Sequence, residues 1–535
     1  MSVRTNREKE RAELHKTIWK IANDLRGSVD GWDFKNYVLG MLFYRFISEN
    51  LTRYLNEQER DAGAEDFDYA RLSDEAAEAA REETVAEKGF YILPSQLFAN
   101  VREKARLDKN LNETLSRIFV AIEGSATGTA SEGAFKGLFE DLDVNSNKLG
   151  STLADRNKKL IGLLEAIGDM PLSNGKGSFH ENTNDLFGDA YEYLMQMYAS
   201  NAGKSGGEYY TPQEVSELLT RIATVGRTEV SKVYDPACGS GSLLLNFIKI
   251  LGEGKVREGF YGQEINLTTY NLCRINMFLH DLNFEKFNIA LGDTLLNPLH
   301  LEDAPFDAIV SNPPYSIKWE GDSNILLVND QRFSPAGVLA PKGKADLAFV
   351  MHILSHLSVD GTAAIVSFPG VLYRGGAEQK IRKYLVENNY VDAVIQLPAD
   401  LFFGVTIATC ILVLKKSKKD NQVLFIDASD CFTRRDTKNV LFPEHQQQIL
   451  DAYTARKDRE YFARLAPHSE IAENNYSLAV NTYVEPEDTR EIINIQELNK
   501  DIAAMVARQE VLRKEIDAIV ADLEGSPSRG GNHQP

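Results

Sequence analysis

Seven short apolar runs, spaced along the second half of the chain with helical periodicity between most of them, limit its fold more than any single residue does. They lie at 232–234, 259–262, 288–291, 306–310, 362–367, 391–397 and 409–414. Strands of this length alternating with helices build an α/β fold with a mostly parallel, doubly wound sheet. Only a short loop separates the last two runs, so they are expected to pair antiparallel as a hairpin at one edge.

The fourth run leaves the sheet through Val310-Ser311-Asn312-Pro313-Pro314-Tyr315. Consecutive prolines forbid both a helix and further ladder pairing, so the chain must turn out of the sheet there. It carries out an amide, stiff backbone carbonyls and an aromatic ring. Such a set suits accepting hydrogen bonds from an amino group on a flat ring while stacking on the ring's face; an exocyclic base amine fits it. Taken alone, the stretch reads as an ordinary proline-stiffened turn. Its neighbours change that reading.

Three other strand ends carry ligand chemistry. Asp235-Pro236-Ala237-Cys238-Gly239-Ser240-Gly241-Ser242 joins the first run to a helix over 243–251. Glycines there let a ligand approach the backbone and the helix N-terminus. A dinucleotide fingerprint would place a third glycine where this chain has Leu244, which weakens a nicotinamide or flavin reading. The second run ends at Glu264, a carboxylate placed to accept two ribose hydroxyls, and the third at Asp293, which could accept from an adenine amine. Each is by itself also a surface carboxylate. Together with Asn312 they all fall at carboxyl ends of strands, where open α/β sheets bind ligands.

Ahead of the sheet, residues 1–170 read as a helical domain, with helices over 11–25, 34–55, 111–122, 134–142 and 156–167 and an acidic, solvated insertion over 61–88. A helix over 185–199 runs into the glycine-rich loop 201–207. Thr211 then reads as the N-cap and Pro212 as the first residue of a helix over 213–222. Behind the sheet, Ile495, Leu498, Ile502, Met505, Leu512, Ile516, Ile519 and Leu523 follow heptad spacing with Gln509 at one inner position. A coiled coil and a helix docked on its own domain both fit that pattern. Domains are therefore expected at 1–170, 171–485 (the α/β region) and 486–524 (a helix for subunit contact), with a disordered tail over 525–535.

The four cysteines have no paired CxxC spacing, so no metal site or disulfide framework is expected. No apolar run follows Met1 and none approaches membrane length, which points to a cytosolic protein without a membrane span. A formal net charge of −19 does not suit a protein that grips nucleic acid alone; a partner would supply much of the hold.

The order and spacing of Asp235 to Gly241 and Asn312 to Tyr315 resemble the amino-methylating DNA methyltransferases that use S-adenosyl-L-methionine. Trp32-Asp33-Phe34, the stretch from Gly206 to Pro212, that from Pro369 to Glu378, and Asn475-Tyr476-Ser477-Leu478 narrow the resemblance to the modification subunit of type I restriction-modification systems. The resemblance implies a Rossmann-like methyltransferase sheet that methylates adenine N6 in double-stranded DNA. Asn312, Pro313, Pro314 and Tyr315 would be catalytic. Glu208, Tyr209, Tyr210, Thr211, Pro212, Gln213, Asp235, Gly239, Ser240, Gly241, Ser242, Glu264 and Asp293 would bind the cofactor. It also implies a separate specificity subunit shared by two copies of this chain, and a restriction subunit in the full complex. Asn312 leans toward adenine over cytosine. A non-catalytic scaffold, an oxidoreductase, and a protein- or RNA-directed methyltransferase are the competing readings.

Overall fold

The computed structural model describes residues 15–18, 31–170, 172, 183–201, 211–435, 438–487 and 495–525. The described residues up to Glu485 form one compact unit and those from Pro486 onward a second.

The helical region begins with a long helix, α1 (Gly31–Asp61), followed by α2 (Leu111–Ser125) and α3 (Leu153–Gly168). The apolar face expected on α1 widens into full burial: nearly every side chain from Tyr37 to Ile47 is enclosed, because the helix runs through the middle of its layer. The acidic stretch 61–88 is solvated at its start but sends Tyr69, Ala77 and Val85 into the core. The helix expected over 134–142 shortens to one turn, Glu132–Phe135, followed by successive turns. The helix expected over 11–25 is described only at 15–18, where it is helical.

Next come α4 (Thr183–Asn201), α5 (Gln213–Ala223), β1 (Val230–Asp235), α6 (Ser242–Leu251), β2 (Val256–Glu264), α7 (Leu267–Leu279), β3 (Phe287–Leu291), β4 (Phe306–Ser311), α8 (Asp346–His356) and β5 (Leu357–Ser367). They are followed by α9 (Ala377–Glu387), β6 (Val391–Gln396), β7 (Cys410–Lys415), β8 (Gln422–Asp427), the small hairpin β9 (Thr433–Arg435) and β10 (Lys438–Val440), α10 (Pro443–Ala455) and β11 (Ala463–Pro467). The main sheet has the order β11-β8-β6-β7-β5-β4-β1-β2-β3. The β1–β2, β2–β3, β1–β4, β4–β5 and β6–β8 pairs are parallel. The β6–β7 pair is antiparallel as expected. It lies inside the sheet rather than at its edge, because β7 inserts beside β5 and two further strands, β8 and β11, extend the sheet beyond β6. From β1 the chain moves outward to β2 and β3, then returns to place β4 on the other side of β1. That reversal opens a crevice outside the carboxyl ends of β1 and β4.

The helical region packs against the sheet region through α7. Phe278 meets Phe43 and Phe135 at ring separations of 5.9 and 4.7 Å. Asp141 accepts from Thr268 and Asn271, both at 2.8 Å. Arg274, also on α7, is 1% exposed and donates to the carbonyls of Gly133, Ala134 and Lys136. The last helix, α11 (Ile495–Gly525), is described on its own: all its side chains are exposed, its heptad residues included.

Replacing Arg274 with Ala strands three carbonyls that it now satisfies, so the variant is expected to lose about 3 kcal/mol of stability. Urea denaturation of Arg274→Ala beside the parent chain checks this, and an unchanged midpoint would contradict it.

Candidate functional site

The crevice at the reversal point holds a cavity of about 290 Å³. Thr211, Asp235, Gly239, Ser240, Ser242, Glu264, Asp293, Asn312 and Pro314 all line it, so strand ends far apart in the chain converge as their positions imply. Pro212, Gln213, Gly241, Pro313 and Tyr315 are not among the residues that line it, and Glu208, Tyr209, Tyr210 and the loop 202–207 fall outside the described residues.

The floor is Asp235, the last residue of β1. Its Oδ1 accepts from the Ser311 hydroxyl at the end of β4 (2.8 Å) and from the Ala237 N–H (3.0 Å). Burial pushes its carboxyl up to about 7, against the pull of those two hydrogen bonds. One step along the sheet, Glu264 accepts from the Gly239 N–H (3.1 Å) and the Asn266 N–H (2.8 Å), and burial raises its pKa too. The Gly239 bond ties the β1 loop to the end of β2. Gly241 has φ +80°, where a side chain is strained, and a Cβ there would crowd Met277 Cε (2.7 Å) and Cys273 Sγ (2.8 Å) on α7. Leu244, where a dinucleotide site would have its third glycine, is buried on α6.

Glu192 on α4 braces this wall. It accepts from Ser242 Oγ (2.9 Å) and from Gln213 Nε2 (2.6 Å). Gln213 therefore supports the wall instead of facing the cavity. Beyond β3, Asp293 Oδ1 accepts from the N–H groups of Leu295 (2.9 Å) and Leu296 (3.2 Å). A carboxylate has acceptor capacity beyond these two bonds.

Asn312 follows β4, and its amide is held at both atoms. Nδ2 donates to Thr211 Oγ1 (3.0 Å), and Oδ1 accepts from Tyr315 Oη (2.5 Å). Thr211 was expected to cap the helix after it; instead Pro212 takes the N-cap position of α5 and the Thr211 hydroxyl serves Asn312. Thr211 lies one residue before the cap, so its hydroxyl is available for the longer-range bond. The Tyr315 ring is packed back on the core, with its hydroxyl turned to Asn312. Ile265, Leu295, Ile317, Lys318, Trp319 and Phe349 are also in the wall. Sequence periodicity carries no mark of them, apart from the positions of Ile265 and Leu295 just after the two acidic strand ends.

The sequence profile of the N-6 DNA methylase family matches residues 182–492, and that of the HsdM N-terminal domain matches residues 14–167. The chain belongs to the N-6 DNA methylase family. It is 50% identical over 534 residues to the type I restriction enzyme MpnII methylase subunit of Mycoplasma pneumoniae, covering 97% of each chain. It is also 31% identical over 404 residues to the MjaVII methylase subunit of Methanocaldococcus jannaschii, covering 71% of this chain and 68% of that one. Among solved structures, the type I restriction-modification methyltransferase subunit from Streptococcus thermophilus superposes with a TM-score of 0.79 at 36% identity, covering 89% of this chain and all of the other. The fold of this N-6 DNA methylase is the S-adenosylmethionine-dependent methyltransferase sheet, with helices added at its N-terminal side.

The raised carboxyl of Asp235 has a consequence for this methylase without ligand. The folded chain keeps a proton that the unfolded chain releases near its ordinary value, so stability declines as pH climbs from about 4 to about 7. The contribution across that window is on the order of 4 kcal/mol. Thermal melts between pH 5 and 8 are expected to fall more steeply for the parent than for Asp235→Asn. Equal slopes would contradict the assignment.

Proposed function

We propose that this chain is the modification subunit of a type I restriction-modification enzyme, transferring a methyl group from S-adenosyl-L-methionine to N6 of adenine in double-stranded DNA and so protecting that DNA from restriction. The observation that carries this is the placing of Asn312 in one cavity with Asp235, Glu264 and Asp293. The donor set fits the cofactor: a glycine turn and Ser240 and Ser242 beside Asp235, a carboxylate at the end of β2 for ribose hydroxyls, and Asp293 for an adenine edge. S-adenosyl-L-methionine supplies a methyl already activated on its sulfonium.

The remaining work falls to this chain's own residues. The lone pair of an adenine amine is delocalised into its ring, which makes it a weak nucleophile. Asn312 Oδ1 and the Pro313 carbonyl accept the two amine hydrogens, draw the nitrogen toward tetrahedral geometry and stabilise the positive charge that develops on it until one of those hydrogens leaves as a proton to solvent. Preorganised acceptors of this kind are worth about 10² or more in rate. Thr211 holds the Asn312 amide before the base arrives, and Tyr315 holds its Oδ1 until the ring turns, which frees that oxygen for the amine. An adenine inside a duplex must be flipped out to enter, and the ring of Tyr315 would stack on it after turning from its present place.

Recognition of sequence is assigned to a separate specificity subunit shared by two copies of this chain, with a restriction subunit joining the full complex. The exposed heptad stripe of α11 and the net charge of −19 support that division of labour. The profile matches over 14–167 and 182–492 support domains at 1–170 and 171–485, and the helix α11 supports a contact helix over 486–524, followed by a tail over 525–535. The assembly is proposed to be cytoplasmic; among the described residues no helix is long and apolar enough to cross a membrane.

Labelled methyl transfer to unmodified DNA, with the candidate specificity subunit co-expressed, tests the reading. Label is expected as N6-methyladenine, only with the partner present. Asn312→Ala should lose about 10²-fold or more in rate while binding S-adenosyl-L-methionine as before. N4-methylcytosine as product would overturn the base assignment, and unchanged transfer by Asn312→Ala the mechanism.

A further inference from the structure

Between β4 and α8 the chain makes a long excursion, 316–345, that supplies Trp319 to the cavity wall and buries one guanidinium, that of Arg332, which is 4% exposed. Arg332 Nη1 donates to the Thr294 carbonyl (2.8 Å) and Nη2 to the Leu295 carbonyl (2.7 Å). Asp330 accepts from Nε with both oxygens (3.1 Å each) and from Nη2 (2.7 Å). His352, on α8, lies 3.0 Å from Arg332 Nη1 through Nδ1, and 3.0 Å from the Tyr234 hydroxyl through Nε2. A guanidinium only donates, so Nδ1 is the acceptor and His352 is neutral. Burial, with His356 and Arg332 nearby, depresses its pKa and keeps it so.

The two carbonyls that Arg332 holds belong to two particular peptide groups. The Thr294 carbonyl shares its peptide plane with the Leu295 N–H, and the Leu295 carbonyl with the Leu296 N–H. Those two N–H groups are the ones that fix Asp293 Oδ1. Each peptide is thus clamped between a guanidinium at its oxygen and a carboxylate at its nitrogen. Planarity transmits the orientation from one end to the other, and opposite charges at the two ends polarise both bonds in the same sense. On its other side the guanidinium stacks 4.6 Å above the Phe333 ring, which Trp319 meets edge-on at 5.5 Å.

We infer that Arg332 is a positioning residue for cofactor recognition: through the 294–295 and 295–296 peptides it sets the carboxylate of Asp293 toward the adenine of S-adenosyl-L-methionine. The inference rests on the reading of Asp293 given above. A structural anchor would lower stability when lost. A positioning residue also changes cofactor affinity, and does so only through Asp293.

Titration calorimetry with S-adenosyl-L-methionine on the full chain, beside thermal melts, separates the two. Arg332→Lys keeps the charge but loses the two-pronged grip, and is expected to raise Kd roughly tenfold. Asp293→Ala should raise it at least as much, and the double variant no further than Asp293→Ala alone, because both changes remove one coupled unit. If Arg332→Lys does not fold, Asp330→Asn, altered at a partly exposed side chain, should show the same non-additivity. An unchanged Kd for the Arg332 or Asp330 variant, or additive losses, would overturn the inference. An unchanged Kd for Asp293→Ala would instead overturn the reading of Asp293 on which it stands.

Discussion

The Asp235 carboxylate accepts from Ser311 across β1 and β4, the two strands between which the order of the sheet reverses. The bond fixes the crevice floor while the loops above it diverge, those after β2 and β3 to one side and the Asn312 loop to the other. Enclosing a carboxylate there is costly, and its pKa rises to about 7 as a result. In the proposed complex, the positive charge of the cofactor's sulfonium would favour the ionised form. The residue that closes the floor would then also make the empty site unfavourable and the filled one favourable.

Around that floor the protein invests in fixing polar groups before any ligand arrives. Asn312 is bonded at both ends of its amide, Glu264 takes two backbone N–H groups, and Glu192 braces Ser242 and Gln213 from behind. The helical region keeps α7 in place through Arg274 and the Phe278 contacts, and α7 in turn backs the Gly241 turn through Cys273 and Met277. A site that polarises a weak nucleophile gains most from this arrangement, because acceptors that must first reorient stabilise the transition state less.

The sheet was largely legible because its central strands are buried on both faces and read as continuous apolar runs. What the pattern did not reveal has physical reasons. β8 is a short run behind a lysine-rich stretch, and β11, Ala463–Pro467, is an edge strand without a β-branched residue, so neither stands out. Their absence from the pattern is why the β6–β7 hairpin was expected at the edge. Of the site, the acidic strand ends and Asn312 were legible from position alone. Thr211 was named from the resemblance, but its bond to Asn312 was not legible, since a threonine before proline gives a local capping signal that this bond, 101 residues away, overrides. Gln213 and Tyr315 show the same limit: a motif names residues near a ligand, while packing decides which way each side chain faces.

The central claim is that one cavity joins a cofactor site to the acceptors of a base amine. A crystal structure of the chain with the product S-adenosylhomocysteine tests it most directly. The account predicts density along Asp235, Glu264 and Asp293, the ribose hydroxyls at Glu264, and the sulfur end directed to Asn312. Density elsewhere, or a ligand in the cavity with its sulfur end turned from Asn312, would contradict it.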